Sequence, residues 1–316
     1  GDRHTVTPSR RRVLVLQLLR LGDILQTTPM LRALRTVEPE TEITLVLRDQ
    51  FQAVPIPETL YDRVVAFPWD AVSLGLQGSP FSWPEQVERV KAFVTSLGRE
   101  PFDLLLNFSH SPAASYLCRL IPHRQARGLV MADDRTQVNH SPWLTYFFAS
   151  IGGRSKGVFN LVDLHNWSAG LPALASRPEI DVGADARTRM DEWLVAVQLG
   201  ASEAKRMYPA ETMAAVLSRV PAAEADIVFV GVGSERPLAE AALRQLERPA
   251  SSAVGVTTVR ELAALLERCR LLLTVDTGTM HVAAAVGTRI LALFAAGPVF
   301  VHRTGPYGEG HLVVEP

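Results

Sequence analysis

The stretch TVDTGTMHVAAAVGT, residues 274–288, breaks the most apolar part of the chain with an acid, a hydroxyl, a glycine and a histidine. It overlaps LLLTV (271–275) and leads into RILALF (289–294). Short apolar runs bounded by turn residues read as buried strands. Between them, TMHVAAAV (279–286) reads as a short helix with almost no polar face, closed by Gly287. A helix apolar all round is covered all round. Asp276, Thr277 and Gly278 therefore occupy a strand-to-helix turn at the carboxyl end of a buried strand. Open α/β sheets bind ligands at that place. Taken alone, DTG is equally a turn with a capping Asp.

Outward from this stretch, strand-like and helix-like runs alternate along the whole chain, as parallel α/β architecture requires. RVLVLQLL (12–19), EITLVLR (42–48), RVVAF (63–67) and DLLLNF (103–108) are strands of the first half. A helix follows the turn RLGDIL, with Met30, Leu31, Leu34 and Val37 apolar and Pro29 expected in its first turn. SPAASYLCRLI reads as a further helix. SRPEIDVGADAR (176–187) is rich in turn residues, and LVAVQL (194–199) and DIVFVGV (226–232) then restart the pattern. Met213, Val216, Leu217 and Val220 stand at i, i+3, i+4, i+7, and Thr258 with Glu261 forms a capping-box pair. The expected architecture is two αβ halves with a cleft between them, residues 1–176 and 177–316.

The 316 residues suit two domains, and 47% hydrophobic composition supplies a sizeable core. Lys plus Arg number 32 against 33 Asp plus Glu, which argues against a nucleic-acid binder. Two cysteines, Cys118 and Cys269, make no metal or disulfide pattern, so a reducing, cytoplasmic compartment is the default. No run approaches the roughly 20 apolar residues of a membrane span, and GDRHTVTPSRRR lacks a signal-peptide core. Arg10, Arg11 and Arg12 read as a solvated tail or as a contact with an anionic membrane surface.

Several constellations carry chemistry. Asp23, after the first strand, is either a helix cap or, with an ordinary carboxylate pKa near ~4, a base for an attacking hydroxyl. GASEAKRMYP places Lys205 and Arg206 before a helix amino terminus, a place that favours anions, without the glycines of a Walker A loop. VGVGSER has Gly231 and Gly233 but Arg236 where a dinucleotide fingerprint needs its third glycine. Glu235 there either bonds a ribose hydroxyl or simply opens a helix. His281, about one turn beyond Asp276, can reach the same ligand or serve as a core histidine. Asp133 and Asp134 form no DxD, and His110, His123, His140 and His165 lack metal spacing. No G-x-S-x-G turn occurs. Arg119, Arg124 and Arg127 offer a basic face for an acidic acceptor or for solvent.

Taken together the chain resembles glycosyltransferase family 9, the ADP-heptose:lipopolysaccharide heptosyltransferases. The pieces that carry the resemblance are RLGDILQTTPMLRALR (20–35), DLLLNFSHSPAASYLCRLI (103–121), FNLVDLHNWSAG (159–170), KRMYP (205–209) and RELAALLERCRLLLTVDTGTMHVAAAVGTRILALF (260–294). Ala295 departs from a position where the family usually has glycine, and the family's closing helices would follow HLVVEP (311–316). The resemblance implies a GT-B fold, α/β with two Rossmann-like domains, the first binding acceptor and the second nucleotide sugar. It implies inverting, metal-independent transfer of heptose from ADP-heptose to a lipopolysaccharide core, with no cofactor. Asp23 then matches the family's base, Lys205 its diphosphate lysine, and Asp276, Thr277, Gly278 and His281 its donor turn. Glu235 lies near its ribose-binding acid, and Arg206 adds charge beside Lys205. An inner-membrane contact on the cytoplasmic face fits such an acceptor. Transfer of another activated sugar to a polysaccharide or protein, or nucleotide-sugar binding without turnover, are the alternatives.

Overall fold

Strands buried on both faces read as continuous apolar runs, and the runs named above form two parallel sheets. The computed structural model describes residues 10–69, 82–152, 159–172, 176–188, 195–220, 226–295 and 304–315. In the first half β1 (Arg12–Gln17), β2 (Glu42–Arg48), β3 (Arg63–Phe67), β4 (Phe102–Asn107) and β5 (His123–Met131) pair in parallel. β6 (Gln137–Asn139) adds antiparallel to β5, giving the order β3-β2-β1-β4-β5-β6. In the second half β7 (Val195–Val197), β8 (Ile227–Phe229), β9 (Ser251–Ser252), β10 (Leu271–Val275), β11 (Arg289–Leu293) and β12 (Leu312–Val314) form an all-parallel sheet. Its order is β12-β11-β10-β7-β8-β9.

The helices of the first half are α1 (Leu21–Val37), α2 (Trp83–Ser96), α3 (Pro112–Leu120), α4 (Pro142–Gly152) and α5 (Leu161–Ser168). Those of the second are α6 (Ala184–Thr188), α7 (Ala210–Ser218), α8 (Arg236–Gln245), α9 (Val259–Glu267) and α10 (Gly278–Val286). α9 starts on the expected box: Thr258 Oγ1 accepts from Glu261 N at 3.2 Å while Glu261 Oε2 accepts from Thr258 N at 2.9 Å. α10 ends on Gly287 in the left-handed region, φ 84°.

Three local expectations change. α1 begins at Leu21, so Asp23 is inside its first turn and Pro29 is interior, not in the first turn. The helix tolerates the missing N–H because the Thr28 hydroxyl donates to Leu25 O at 2.7 Å, the carbonyl that residue 29 would have met. Val216 of α7 is 52% exposed; Met213 and Leu217 alone of that set face the core. Arg10, Arg11 and Arg12 do not form a free tail: Arg10 and Arg11 stay exposed and Arg12 is half-buried, yet each holds a partner in the fold. Arg10 Nε donates to Glu40 O at 2.7 Å, Arg11 pairs with Glu38, and Arg12 lies 4.6 Å over the Phe102 ring while donating to Glu100 O.

The halves are joined by α1 and by the connecting segment. Leu25 of α1 packs into the second half's core with Val228, Met280 and Val282. Glu179 N donates to Thr28 Oγ1 and its carboxylate takes both ends of Arg32, at 2.8 and 2.6 Å. Asp181 N donates to Pro55 O, and the next residue, Val182, enters the second core. Further on, Tyr307 Oη donates to Asp163 Oδ1 at 2.9 Å, tying β12's approach to α5.

Candidate active site

Each sheet reverses its strand order once, between β1 and β4 in the first half and between β7 and β10 in the second. Ligands of doubly wound sheets bind outside the carboxyl ends of the strands at such switch points. The segments leaving those four strands are RLGD, SHS, GASEAKR and DTG. The two switch points lie beside each other, because the amino ends of α1 and α10 meet at Leu21 and Gly22 against Gly278 and His281. A Cβ on Gly278 would stand 3.5 Å from Leu21 Cδ2, and one on Gly22 would stand 2.4 Å from His281 Cδ2. Arg20 Nη1 closes the seam by donating to Ser202 Oγ at 2.9 Å.

Asp23 Oδ2 accepts from Arg20 N at 3.1 Å, so the carboxylate does cap α1. Surrounding protein pushes the carboxyl above its ordinary range by desolvation, against the pull of the Arg20 N–H, His110 and the Arg20 guanidinium. The ordinary carboxylate pKa expected from sequence is thus corrected upward, because the group stands in a protein-lined crevice rather than in water. A carboxylate tuned this way is a stronger base.

At the opposite switch point, Asp276 also lies above the usual carboxylate range, chiefly by burial. Arg206 and Arg20 pull it down, while Asp23 and Glu203 push it up. Asp276 Oδ2 pairs with Arg206 Nη1 at 3.2 Å, and Arg206 Nη2 pairs with Glu203 at 2.9 Å. Arg206, expected to add charge for the donor beside Lys205, is matched by two carboxylates. Lys205 lies in the one-turn helix Ala204–Arg206; its side chain is outside the described residues. Thr277 precedes α10 without capping it through its hydroxyl; Met280 N donates to Thr277 O at 3.1 Å, and the N–H groups of Gly278 and Thr279 receive no cap from that hydroxyl.

His281 is 6% exposed and its ring lies against Gly22. Burial lowers its pKa to about 4, so the ring is neutral at neutral pH. Its Nδ1 has no partner among the described residues. Glu235 turns inward: Oε2 accepts from Gln198 Nε2 at 2.7 Å and from Val232 N at 3.0 Å, which is the helix-opening arrangement. Thr279 Oγ1 donates to Gln198 Oε1 at 3.2 Å, so Gln198 links the ends of β7, β8 and β10.

The three arginines expected to meet an acceptor do not converge on Asp23. Arg124 Nε pairs with Asp103 Oδ1 at 3.1 Å, and Asp103 also accepts from Arg12 N, the first residue of β1. That is the amino edge of the sheet, whereas Asp23 follows the carboxyl edge, so strand direction removes Arg124 from the site. Arg119 pairs with the exposed Asp133, and Arg127 donates to Ser168 O at 3.3 Å. Sequence reasoning missed His110 and Gln198. His110 follows β4 beside the end of β1, where Phe108 N donates to Leu16 O and Leu18 N donates to Ser109 Oγ, and its ring meets Phe148 edge to face at 5.9 Å. Its place at the β1/β4 switch point is a topological signal that spacing does not carry. Gln198 was legible only as a polar residue in an apolar strand.

The family model described as glycosyltransferase family 9 (heptosyltransferase) matches residues 90–315. The chain belongs to that family. Lipopolysaccharide heptosyltransferase 3 of Escherichia coli is 22% identical over 289 residues, covering 87% of this chain and 81% of that protein. The glycosyl transferase family 9 structure from Veillonella parvula superposes with a TM-score of 0.78 at 21% identity, covering 96% of this chain and 87% of that one. E. coli heptosyltransferase WaaC with ADP-2-deoxy-2-fluoro heptose gives 0.67 at 18% identity, covering 96% and 92%. This family 9 glycosyltransferase has the GT-B fold, two parallel-sheet halves facing across a cleft. Among its described residues no helix is long and apolar enough to cross a membrane, and no three His, Cys, Asp or Glu side chains gather as a metal site.

Proposed function

We propose that this glycosyltransferase moves heptose from ADP-heptose to a lipopolysaccharide core acceptor with inversion and without a metal. The observation that carries the reading is the seam itself. The turn bearing Asp23 and the turn bearing Asp276, Thr277 and Gly278 belong to opposite halves yet abut through Gly22 and His281. Residues 1–176 receive the acceptor and residues 177–316 the nucleotide sugar.

In this reading Asp23 takes the proton of the acceptor hydroxyl as its oxygen bonds the anomeric carbon. The bond from that carbon to the diphosphate breaks, and ADP leaves with the electron pair. One carboxylate on the far side of the sugar from the leaving group suffices for inversion. The departing charge meets the N–H groups at the start of α10 and Lys205, donors that need no reordering as charge develops. Asp276 addresses the sugar; Arg206 is held ready by Asp276 and Glu203. Glu235 addresses the ribose with the edge left free by Gln198. The acceptor approaches over the β1/β4 side past His110. Arg119 and Arg127 reach it only by giving up the partners described above.

The test is the product of a reaction containing ADP-heptose, a heptose-acceptor core and a chelator. Inverted anomeric configuration with one ADP released per transfer supports the reading. Retained configuration, or a requirement for added divalent metal, contradicts it.

A further inference from the structure

Arg20 stands on the first half, but its guanidinium reaches the second. Nη1 donates to Ser202 Oγ at 2.9 Å, in the loop that leads from β7 to Lys205 and Arg206. Its backbone N–H is gripped by Asp23 Oδ2 at 3.1 Å, so its position is fixed relative to the base. The residue is exposed.

The charges around it are unequally matched. Arg206 is paired with both Glu203 and Asp276. Among the described residues the Arg20 guanidinium has a neutral hydroxyl as its hydrogen-bond partner and no carboxylate at ion-pair distance. It still acts on both cleft carboxylates electrostatically. A planar fork of donors with unmatched charge, facing a loop and a helix amino terminus that already favour anions, suits a phosphate group.

We infer that Arg20 is a diphosphate-binding residue supplied from the acceptor-side half, exchanging the Ser202 hydroxyl for a phosphate oxygen of the donor. The inference rests on the nucleotide-sugar reading above. It makes leaving-group stabilisation depend on the two halves being together, since the cation and the α10 turn come from opposite sides. The competing account is that Arg20 is only a brace between the halves.

Calorimetry with ADP, and steady-state transfer, on the full chain and on Arg20→Gln, Arg20→Lys and Ser202→Ala separate the two. Arg20→Gln is expected to weaken ADP binding about tenfold and lower kcat/KM about a hundredfold, because the charge acts before and during bond breaking. Arg20→Lys should recover part of both losses. Ser202→Ala, which removes the brace but keeps the charge, should bind ADP within about twofold of wild type. If Ser202→Ala reproduces the loss of Arg20→Gln, or if Arg20→Gln binds ADP like wild type, the inference is overturned while the nucleotide-sugar reading stands. If the wild type binds no ADP, both fall. Should Arg20→Gln not fold, an Arg20→Lys variant with wild-type folding decides: reduced ADP affinity with Ser202→Ala unchanged supports the inference, and equal losses in both overturn it.

Discussion

The ring of His281 fills the space that any side chain at position 22 would need. A Cβ on Gly22 would lie 2.4 Å from His281 Cδ2, 3.0 Å from Nε2 and 3.3 Å from Cγ. Helix α10 thereby sets how near the turn bearing Asp23 can come.

Gly22→Ala should therefore displace one turn from the other. A shift of about 1 Å at a reacting centre is worth on the order of a hundredfold in rate, and kcat/KM should fall by that order. Pairing it with His281→Ala removes the clash, so the double variant should lose less than the two single losses multiplied. Multiplicative losses in a double-variant cycle would show that the contact is incidental.

The raised pKa of Asp23 has a consequence for stability. Its folded value lies above the unfolded one, so the folded state holds the proton more tightly. That burden is absent below the unfolded carboxylate pKa of roughly 4 and grows as pH rises through the raised value. Asp23→Asn keeps the acceptor for Arg20 N and drops the charge. It should raise Tm at pH 7, with the gain vanishing toward pH 4. A lower Tm at pH 7 would mean that the ionised carboxylate supports the fold.

The same shift bears on rate. A base must be ionised to act, so kcat/KM should climb with pH through an acidic limb centred above the ordinary carboxylate range. A limb at or below about 4 would place a different group in control.

Asp276→Ala releases Arg206 from its 3.2 Å pair. Binding of ADP should stay level or tighten, since a cation is freed, while binding of ADP-heptose should weaken because the sugar's partner is gone. Equal weakening of both ligands would confine Asp276 to shaping its turn.

Gln198 is 2% exposed and bonds Glu235 and Thr279 at once. Gln198→Leu strands buried polar partners, and urea unfolding should show a loss of about 1–3 kcal/mol. A neutral result would mean those groups rehydrate from the cleft.

Much of this arrangement was legible in residue order. LLLTV and EITLVLR are strands at the quoted bounds because doubly buried parallel strands carry uninterrupted apolar runs, and RVVAF is the half-buried edge strand beside them. The caps at Thr258 and Gly287 were readable because their chemistry is local. What was not readable depends on contacts distant in sequence. The start of α1 at Leu21 is fixed by packing on α5 and α10, which overrides the usual place of Pro29. The Asp276–Arg206 pair and the removal of Arg124 to the far edge follow from strand order and direction, which no spacing encodes.

On the proposed reading, Asp23 deprotonates the acceptor hydroxyl beside the seam between α1 and α10. The most direct measurement is the rate of ADP release from ADP-heptose and a core acceptor by Asp23→Asn beside wild type. A loss of about 10²–10⁴ with donor affinity retained is the predicted result, the range that general-base catalysis contributes. An unchanged rate at saturating acceptor would contradict it and return Asp23 to the cap of α1.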